Sequence, residues 1–184
     1  IGRFAYVVNS NGNTVSMYTV NTDGSLSPLG SPVATGNEPS SIAVAPSGQA
    51  AYVENASSRT VSMYTVNMDG TLSPLGSPVA TEASPTSIVV TPSGRFAYVV
   101  NSSDNTVSMY TVNTDGTLSP LGSPVAAGDQ SFSITVAPSG QVAYVTNVDS
   151  NTVSMYTVNT DGTLSPLGSP VAAGLTPRGM VLSH

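Results

Sequence analysis

Few side chains in this sequence are suited to chemistry. Its 184 residues include four Arg and no Lys, ten Asp or Glu, one His and no Cys. General acid–base chemistry needs a group that accepts or returns a proton and a positive group that stabilises developing negative charge. Glu54 and Arg178 are the candidates for these two roles, provided that the fold brings them together. Otherwise Glu54 is a solvated strand end, which is the interpretation that the sequence favours.

These residues belong to a sequence that repeats every 46 residues. The copies span residues 2–47, 48–93, 94–139 and 140–184, and we treat them as one domain. The segment that begins at Thr14 and ends at Ala34 has 19 of its 21 positions identical in all four copies. A tandem repeat of this length is typical of solenoids, propellers and linear arrays.

Each copy contains four runs typical of β-strands and no stretch with a helical period. In the first copy the runs are residues 5–8, 15–20, 26–34 and 41–45. Pro28 and Pro32 make the third run an irregular or edge strand, and Asp23-Gly24 before it predicts a type I′ hairpin turn. The predicted fold is all-β, a β-propeller of four-stranded antiparallel blades. A β-sandwich is the less favoured alternative.

Short motifs give this chain a family resemblance. Ala143-Tyr144-Val145-Thr146-Asn147 contains the signature of the YVTN-type β-propeller repeat, and the other copies carry variants of it. The stretch YTVNTDGTLSPLGSPVA, residues 110–126, is similar to the lactonase-type propellers, which include 6-phosphogluconolactonase and carboxymuconate-cyclising enzymes. The resemblance covers the whole chain and implies a propeller, although the matching residues are framework residues.

The resemblance implies catalytic His, Glu and Arg residues around the central channel. The only histidine, His184, aligns with Pro46 at the turn end of the inner strand, so the family's catalytic His has no counterpart. This predicts no measurable lactonase activity. Arg3 and Arg95 should lie near the same turn, on the face away from the channel mouth. A basic pocket for a phosphorylated sugar is therefore hard to build.

The sequence also predicts how a ring closes. The chain starts at the second strand of a blade and its last run, residues 178–183, is an inner strand, so we expect this run to close the ring onto the N-terminal blade. Small side chains between blades suit narrow wedges, which favours an eight-bladed ring formed by a homodimer. The alternatives are a four-bladed monomer, a fragment of a longer array and an association that does not close.

The copies differ in two clusters. One precedes and opens the inner strand, and the other lies at the end of the second strand and in the loop after it; in a propeller both lie around one mouth of the channel. Exposed loops also vary freely, so a selected binding face and neutral drift both stay open. The binding-face candidates are Glu38, Ser40, Glu54, Arg59, Glu82, Thr86, Asp104, Asp129, Phe132, Asp149 and Arg178.

Several ligand classes are not expected. A net charge of −6 without Lys excludes nucleic-acid binding, and no apolar run is long enough for membrane insertion. Residues 21–24, Asn-Thr-Asp-Gly, lack the spaced acidic ligands of a calcium loop and predict a turn. We therefore expect no metal and no cofactor.

The function that the sequence favours is a non-catalytic β-propeller scaffold or binding module, either natural or engineered. Its partners would be a second copy of itself and a small-molecule, glycan or protein ligand at the channel mouth. The absence of Cys and Lys and the many Ser, Thr and Asn residues favour an extracellular or cell-surface location. The alternative function is a lactone hydrolase of the 6-phosphogluconolactonase type.

Overall fold

The computed structural model describes residues 3–183, and within them it contains nineteen β-strands and no helix. Ile1, Gly2 and His184 lie outside the described residues, and with them the first residue of the first repeat and the predicted position of the only histidine. None of the described residues forms a helix that could span a membrane.

The strands form four antiparallel sheets, which are the blades. Blade 1 contains β1 (Phe4–Asn9), β2 (Thr14–Val20), β3 (Leu26–Pro28) and β4 (Val33–Ala34). Blade 2 contains β5 (Pro39–Val44), β6 (Ala50–Asn55), β7 (Thr60–Val66), β8 (Leu72–Pro74) and β9 (Val79–Ala80). Blade 3 contains β10 (Pro85–Val90), β11 (Phe96–Asn101), β12 (Thr106–Val112), β13 (Leu118–Pro120) and β14 (Val125–Ala126). Blade 4 contains β15 (Ser131–Val136), β16 (Val142–Asn147), β17 (Thr152–Val158), β18 (Leu164–Pro166) and β19 (Val171–Ala172).

The prolines divide the outer edge of each blade, as the sequence predicts. In blade 1, β3 and β4 both pair with β2, and residues 29–32 between them belong to neither strand. Proline has no N–H to donate to a neighbouring strand. Residues 26–34 therefore cannot form one continuous strand that is paired on both sides. The all-β fold and the four antiparallel blades are confirmed.

The turn after β2 differs from the prediction. In a type I′ turn both central residues have a positive φ, whereas here only Gly24 has one, at 86°. The amide of Gly24 donates to the carbonyl of Asn21 at 3.0 Å, and Asp23 accepts from the backbone N–H of Ser25 at 2.9 Å. The side chain of Asp23 thus stabilises a wider loop. The predicted two-residue turn is wrong for this reason.

Neighbouring blades are joined by a repeated set of contacts. Between blades 2 and 3, the hydroxyl of Tyr52 donates to the carbonyl of Gly116 at 2.8 Å, and the amide of Leu118 donates to Met63 Sδ at 3.1 Å. Tyr52 is fully buried. The equivalent pairs at the other two junctions are Tyr6–Gly70, Met17–Leu72, Tyr98–Gly162 and Met109–Leu164.

A second tyrosine completes each junction from the opposite side. The hydroxyl of Tyr110 on blade 3 donates to the carbonyl of Ala80 on blade 2 at 2.8 Å. The same bond runs from Tyr64 to blade 1 and from Tyr156 to blade 3. Six of the eight tyrosines thus donate to a backbone carbonyl of a neighbouring blade, and all six except Tyr6 are buried, as suits a phenol removed from water.

The blades follow one another in chain order, with β10 lying between β5 and β15. The four blades of one chain fit the four-bladed monomer that the sequence leaves as an alternative. The eight-bladed homodimer stays a prediction.

The predicted terminal strand at residues 178–183 is not formed in this structure. An inner strand pairs with the second strand of its own blade, as Ser41 on β5 pairs with Glu54 on β6. The predicted partner of residues 178–183 is β1 of blade 1. Among residues 3–183 the segment pairs with no strand and is irregular, so closure of a ring onto blade 1 remains a prediction.

The fit between blades predicts a difference between two glycines that share a left-handed backbone. Gly162 (φ 88°) faces Phe96, whose ring would lie 2.2 Å from an added Cβ, whereas Gly48 (φ 70°) has open space around it. Gly48→Ala should lower the free energy of unfolding by about 1 kcal/mol through backbone strain alone.

Gly162→Ala should cost roughly 2 kcal/mol more than Gly48→Ala, because it also forces the aromatic ring away. Urea denaturation of both variants measures the difference. In a Phe96→Ala background, which has the residue found at position 50, Gly162→Ala should cost no more than Gly48→Ala, because the ring that it displaces is gone. Equal losses in the two glycine variants would contradict this account of the junction.

Candidate functional site

Four variable residues open the inner strands and form a row from blade to blade. We call Ser40, Thr86, Phe132 and Arg178, which occupy equivalent positions 46 residues apart, the inner row. Ser40 Oγ lies 3.4 Å from the carbonyl of Pro85, beside Thr86. Thr86 Oγ1 donates to the carbonyl of Phe132 at 2.8 Å. Each of these residues thus contacts the strand of the next blade.

Arg178 occupies the fourth position of the inner row. Its guanidinium carbon lies 4.8 Å from the centroid of the Phe132 ring, an arrangement that attracts the cation to the face of the ring. Its carbonyl accepts from Thr146 Oγ1 at 3.3 Å. Arg178 is exposed and Phe132 is partly exposed. The row therefore offers a hydroxyl, a second hydroxyl, an aromatic face and a positive charge.

Glu54 lies behind Ser40 and is fully buried. Ser40 Oγ donates to Glu54 Oε1, while Glu54 Oε2 is buried without a hydrogen-bond partner. The equivalent residues of the other blades are Val8, Val100 and Thr146, so the carboxyl occupies a place built for a small side chain. The solvated strand end that the sequence favours is wrong for Glu54, because all of β6, including its end, is buried.

Burial raises the pKa of Glu54 from 4.5 to about 8, against the opposing effect of the hydrogen bond from Ser40. Removing a carboxylate from water disfavours its ionised form, so this group holds its proton at neutral pH. A carboxyl with a pKa near the working pH can both accept and return a proton. Its only hydrogen-bond partner is the exposed hydroxyl of Ser40, which links the buried acid to the channel side of β5.

The structure does not bring Glu54 and Arg178 into direct contact. Glu54 belongs to blade 2 and bonds to Ser40, whereas Arg178 follows blade 4 and stacks on Phe132. Only the inner row connects them. The sequence did not predict the contact between Ser40 and Glu54. The strand register pairs Ser41 with Glu54, and Ser40 is the residue before Ser41, so a correct register would have predicted it.

The remaining candidates surround the inner row on the same face. The loop before each inner strand bonds to the loop after the second strand: the amide of Ala56 donates to Glu38 O at 2.9 Å, and that of Asp149 donates to Asp129 O at 3.2 Å. Asp104 Oδ2 accepts from the amide of Ala83 at 2.6 Å. The candidates in these loops are exposed: Glu38, Arg59, Glu82, Asp104, Asp129 and Asp149.

Four of the acidic residues lie outside this face, in the turn between β2 and β3 and in the equivalent turns of the other blades. There the carboxylate of Asp115 accepts from the hydroxyl and the amide of Thr117, at 2.6 and 2.9 Å, and these bonds lower its pKa. Asp23, Asp69 and Asp161 have the same arrangement. Within residues 3–183, no three acidic or histidine side chains cluster in a way that would hold a metal ion.

Comparison with known proteins places this chain in a family. The chain matches the family described as "Lactonase, 7-bladed beta-propeller" over residues 1–84 and 70–180. The chain belongs to this lactonase family of β-propellers, as its motifs suggest. Among curated proteins, none matches it in sequence.

Solved structures share the fold. A candidate 6-phosphogluconolactonase from Bacteroides uniformis has a TM-score of 0.87 at 22% identity, over 99% of this chain and 58% of that one. The periplasmic gluconolactonase of Pseudomonas aeruginosa has a TM-score of 0.82 at 20% identity, over 97% of this chain and 53% of that one. This chain therefore spans only somewhat more than half the length of these proteins.

These findings correct the functional interpretation. The sequence favoured a non-catalytic scaffold, mainly because the channel histidine is missing. Membership in the lactonase family overturns that choice and supports its alternative, a lactone hydrolase. A missing histidine argues only against one particular base.

The raised pKa of Glu54 predicts a pH dependence of stability. Between about pH 4.5 and 8 the folded protein keeps this proton while the unfolded chain releases it. The free energy of unfolding should therefore fall as pH rises through this window, by up to about 1.4 kcal/mol per pH unit, and then level off.

Glu54→Val, which copies repeats 1 and 3, should remove this slope and stabilise the protein at pH 8. Urea denaturation at pH 5, 6.5 and 8 measures the effect. Glu82→Gln, a change to an exposed glutamate on the same face, serves as the control and should keep the wild-type slope. A variant Glu54→Val that loses stability with pH as the wild type does would refute the assignment.

Proposed function

We propose that this protein hydrolyses sugar lactones, as an enzyme of the 6-phosphogluconolactonase type. The observation that carries the proposal is the Ser40–Glu54 pair: an exposed hydroxyl bonded to a buried carboxyl whose pKa is raised to about 8. It stands in a member of the lactonase family, at the face where the variable residues gather.

In this reaction, water adds across the ester bond of the lactone ring. The oxygen of water bonds to the carbonyl carbon, the ring C–O bond breaks, and the leaving alkoxide takes a proton, giving a hydroxy acid. The ionised form of Glu54 accepts the proton of the attacking water through the hydroxyl of Ser40, because Glu54 itself has no exposed surface. The same route returns a proton to the alkoxide.

Arg178 supplies the positive charge for this chemistry. Its guanidinium stays protonated at any working pH and donates hydrogen bonds in a fixed plane, which suits a carbonyl oxygen that is becoming an oxyanion. Stacking on Phe132 orients the guanidinium. The exposed part of the Phe132 ring gives the apolar side of a sugar ring a surface to lie on, and Thr86 adds a hydroxyl beside it.

The charge balance favours a lactone without phosphate. The chain has a net charge of −6, and five acidic candidates lie in the loops around the inner row. A phosphorylated substrate would carry about two negative charges into this field with few cations to meet them. Glucono-δ-lactone should therefore have a higher kcat/KM than its 6-phosphate, by roughly tenfold or more at low salt.

Assays of both lactones in a pH-stat, with the uncatalysed rate subtracted, measure this preference. Added salt should narrow the difference, since it screens the repulsion. Faster turnover of the phosphorylated lactone at low salt would contradict the proposed substrate class while leaving lactone hydrolysis intact.

The residue roles predict distinct effects on kinetics. Ser40→Ala and Glu54→Gln should each lower kcat about 100-fold, as expected for loss of a proton-transfer route. In the wild type, kcat should rise with pH up to about 8, as Glu54 ionises, and this rise should disappear in Glu54→Gln.

Arg178→Gln should lower kcat/KM by roughly 10- to 100-fold. Its control is Arg95→Gln, which removes the same charge from the opposite face, where Arg95 lies over Phe96 at 5.1 Å. The control should retain wild-type activity. Hydrolysis no faster than the uncatalysed rate, or equal rates in all variants, would overturn the proposed function.

A further inference from the structure

The junction between blades 2 and 3 has an alanine where the other two junctions have a phenylalanine. At the third junction the ring of Phe96 packs on Gly162, where an added Cβ would lie 2.2 Å from it, and at the first junction Phe4 packs in the same way on Gly70. Both glycines are buried. The equivalent of the two phenylalanines at the second junction is Ala50. Its small side chain leaves the place of a phenyl ring open.

A cavity of about 280 Å³ lies at this place. Its walls include Ala50 and Tyr52 from blade 2 and Val112 and Gly116 from blade 3. Gly116 is partly exposed, and a Cβ added to it would meet Leu75 Cδ2 at 3.2 Å rather than an aromatic ring at 2.2 Å. Because a cavity of about 150 Å³ is enough to hold benzene, this space accommodates the phenyl group of a small molecule.

The cavity is separate from the inner row and lies inside the row of blades. Its walls belong to blades 2 and 3, and each of these blades also bonds to its other neighbour in the structure. Ser40 lies near the start of β5, whereas the cavity meets the turn after the end of β5, at Pro46 and Ser47. A ligand in this cavity would therefore be a second one, apart from the lactone.

The first and third junctions show what accompanies a ring at this place. The guanidinium carbon of Arg95 lies 5.1 Å from the centroid of the Phe96 ring, and that of Arg3 lies 5.6 Å from the centroid of the Phe4 ring. Each ring thus has a cation over it. At the second junction Gln49 replaces the arginine, so this junction lacks both the ring and the positive charge.

Asp115 gives the cavity a negative charge. Of the described residues that line it, Asp115 is the only one that is ionised at neutral pH, because burial and the nearby Asp115 raise the pKa of Tyr52 to about 12. The two hydrogen bonds from Thr117 both end on Asp115 Oδ1 and lower the pKa of this carboxyl. They leave Oδ2 to a ligand, and an ionised carboxylate favours a cation.

We propose that the cavity between blades 2 and 3 binds a small molecule that carries a phenyl ring and a cationic amine. The ring fills the place that Phe4 and Phe96 fill at the other junctions, against Ala50 and Gly116. The ammonium group pairs with Asp115 and supplies the positive charge that this junction lacks. Burial of the ring provides affinity, and the carboxylate selects the charge of the ligand. The proposal depends on none of the catalytic roles.

An NMR titration of the backbone amides tests the site with three probes that share a phenyl ring and differ in charge: phenethylamine, phenethyl alcohol and phenylacetate. We expect saturable shifts confined to the cavity, around residues 45–52 and 112–116, with a Kd for the amine on the order of 1 mM. The amine should bind roughly tenfold more tightly than phenylacetate at low salt, and added salt should narrow this difference. Shifts that do not saturate, or equal affinity for the amine and phenylacetate at low salt, overturn the proposal.

Ala50→Phe, which copies the other two junctions, should weaken binding of all three probes by roughly tenfold or more, because the ring fills the cavity. Val142→Phe is the matched control, since it places the same ring at the equivalent position of blade 4, and it should keep the wild-type affinity. Circular dichroism verifies that both variants keep their strands. Unchanged affinity for the amine in Ala50→Phe overturns the proposal.

Asp115→Asn tests the charge without filling the cavity. An amide oxygen still accepts the hydrogen bonds from Thr117, so the turn should persist. The preference for the amine over phenylacetate should disappear, while phenethyl alcohol should bind as it does to the wild type. A preference for the amine that survives this substitution contradicts the proposed class of ligand.

A double substitution should create a second site. Arg95→Gln with Phe96→Ala copies Gln49 and Ala50 into the third junction, where Gly162 and Asp161 are equivalent to Gly116 and Asp115. Amine-dependent shifts should then appear around residues 158–162 as well as at the original cavity. Their absence in a variant with the wild-type strand content would overturn the explanation of the cavity by the missing ring.

Discussion

The contact between neighbouring blades is the interaction on which the rest of the structure depends. A single blade is a small twisted sheet with apolar side chains on both faces, and it cannot bury them by itself. The tyrosine, methionine and leucine of the junction bury those faces, and the tyrosine hydroxyls donate to backbone carbonyls across it. Stability therefore comes from pairs of neighbouring blades, as in other repeat proteins, rather than from one central core.

This division of labour explains where the sequence is free to vary. The tyrosine, methionine, glycine and leucine of the junction recur in all four copies, and the same contacts form at all three junctions. The inner row and its loops lie outside that constraint, so Ser40, Phe132 and Arg178 can differ completely at equivalent positions. A hydroxyl, an aromatic ring and a charge then occupy equivalent backbone positions. This is the arrangement that a functional site added to a fold requires.

The sequence predicted the strands and the blade pattern because these follow from local features: the period of 46 residues, the β-branched runs and the proline-broken edge. It failed where the outcome depends on distant neighbours. Glu54 looks like a solvated residue along the chain, and only the folded sheet, in which all of β6 is buried, makes it a buried acid. Residues 178–183 have a strand-like pattern, but a strand forms only with a partner. The turn at Asp23 was wrong for a local reason, since the side chain competes for backbone donors.

The repeated junctions have a consequence for how such a gene can change. The tyrosine, methionine, glycine and leucine of the junction are the same at each offset of 46 residues, and the residue that faces the glycine varies. Unequal recombination between copies would add or remove a whole blade and keep the contacts of the four shared residues. The number of blades in a lineage can then change in a single genetic event, and the variable inner row can be reordered at the same time.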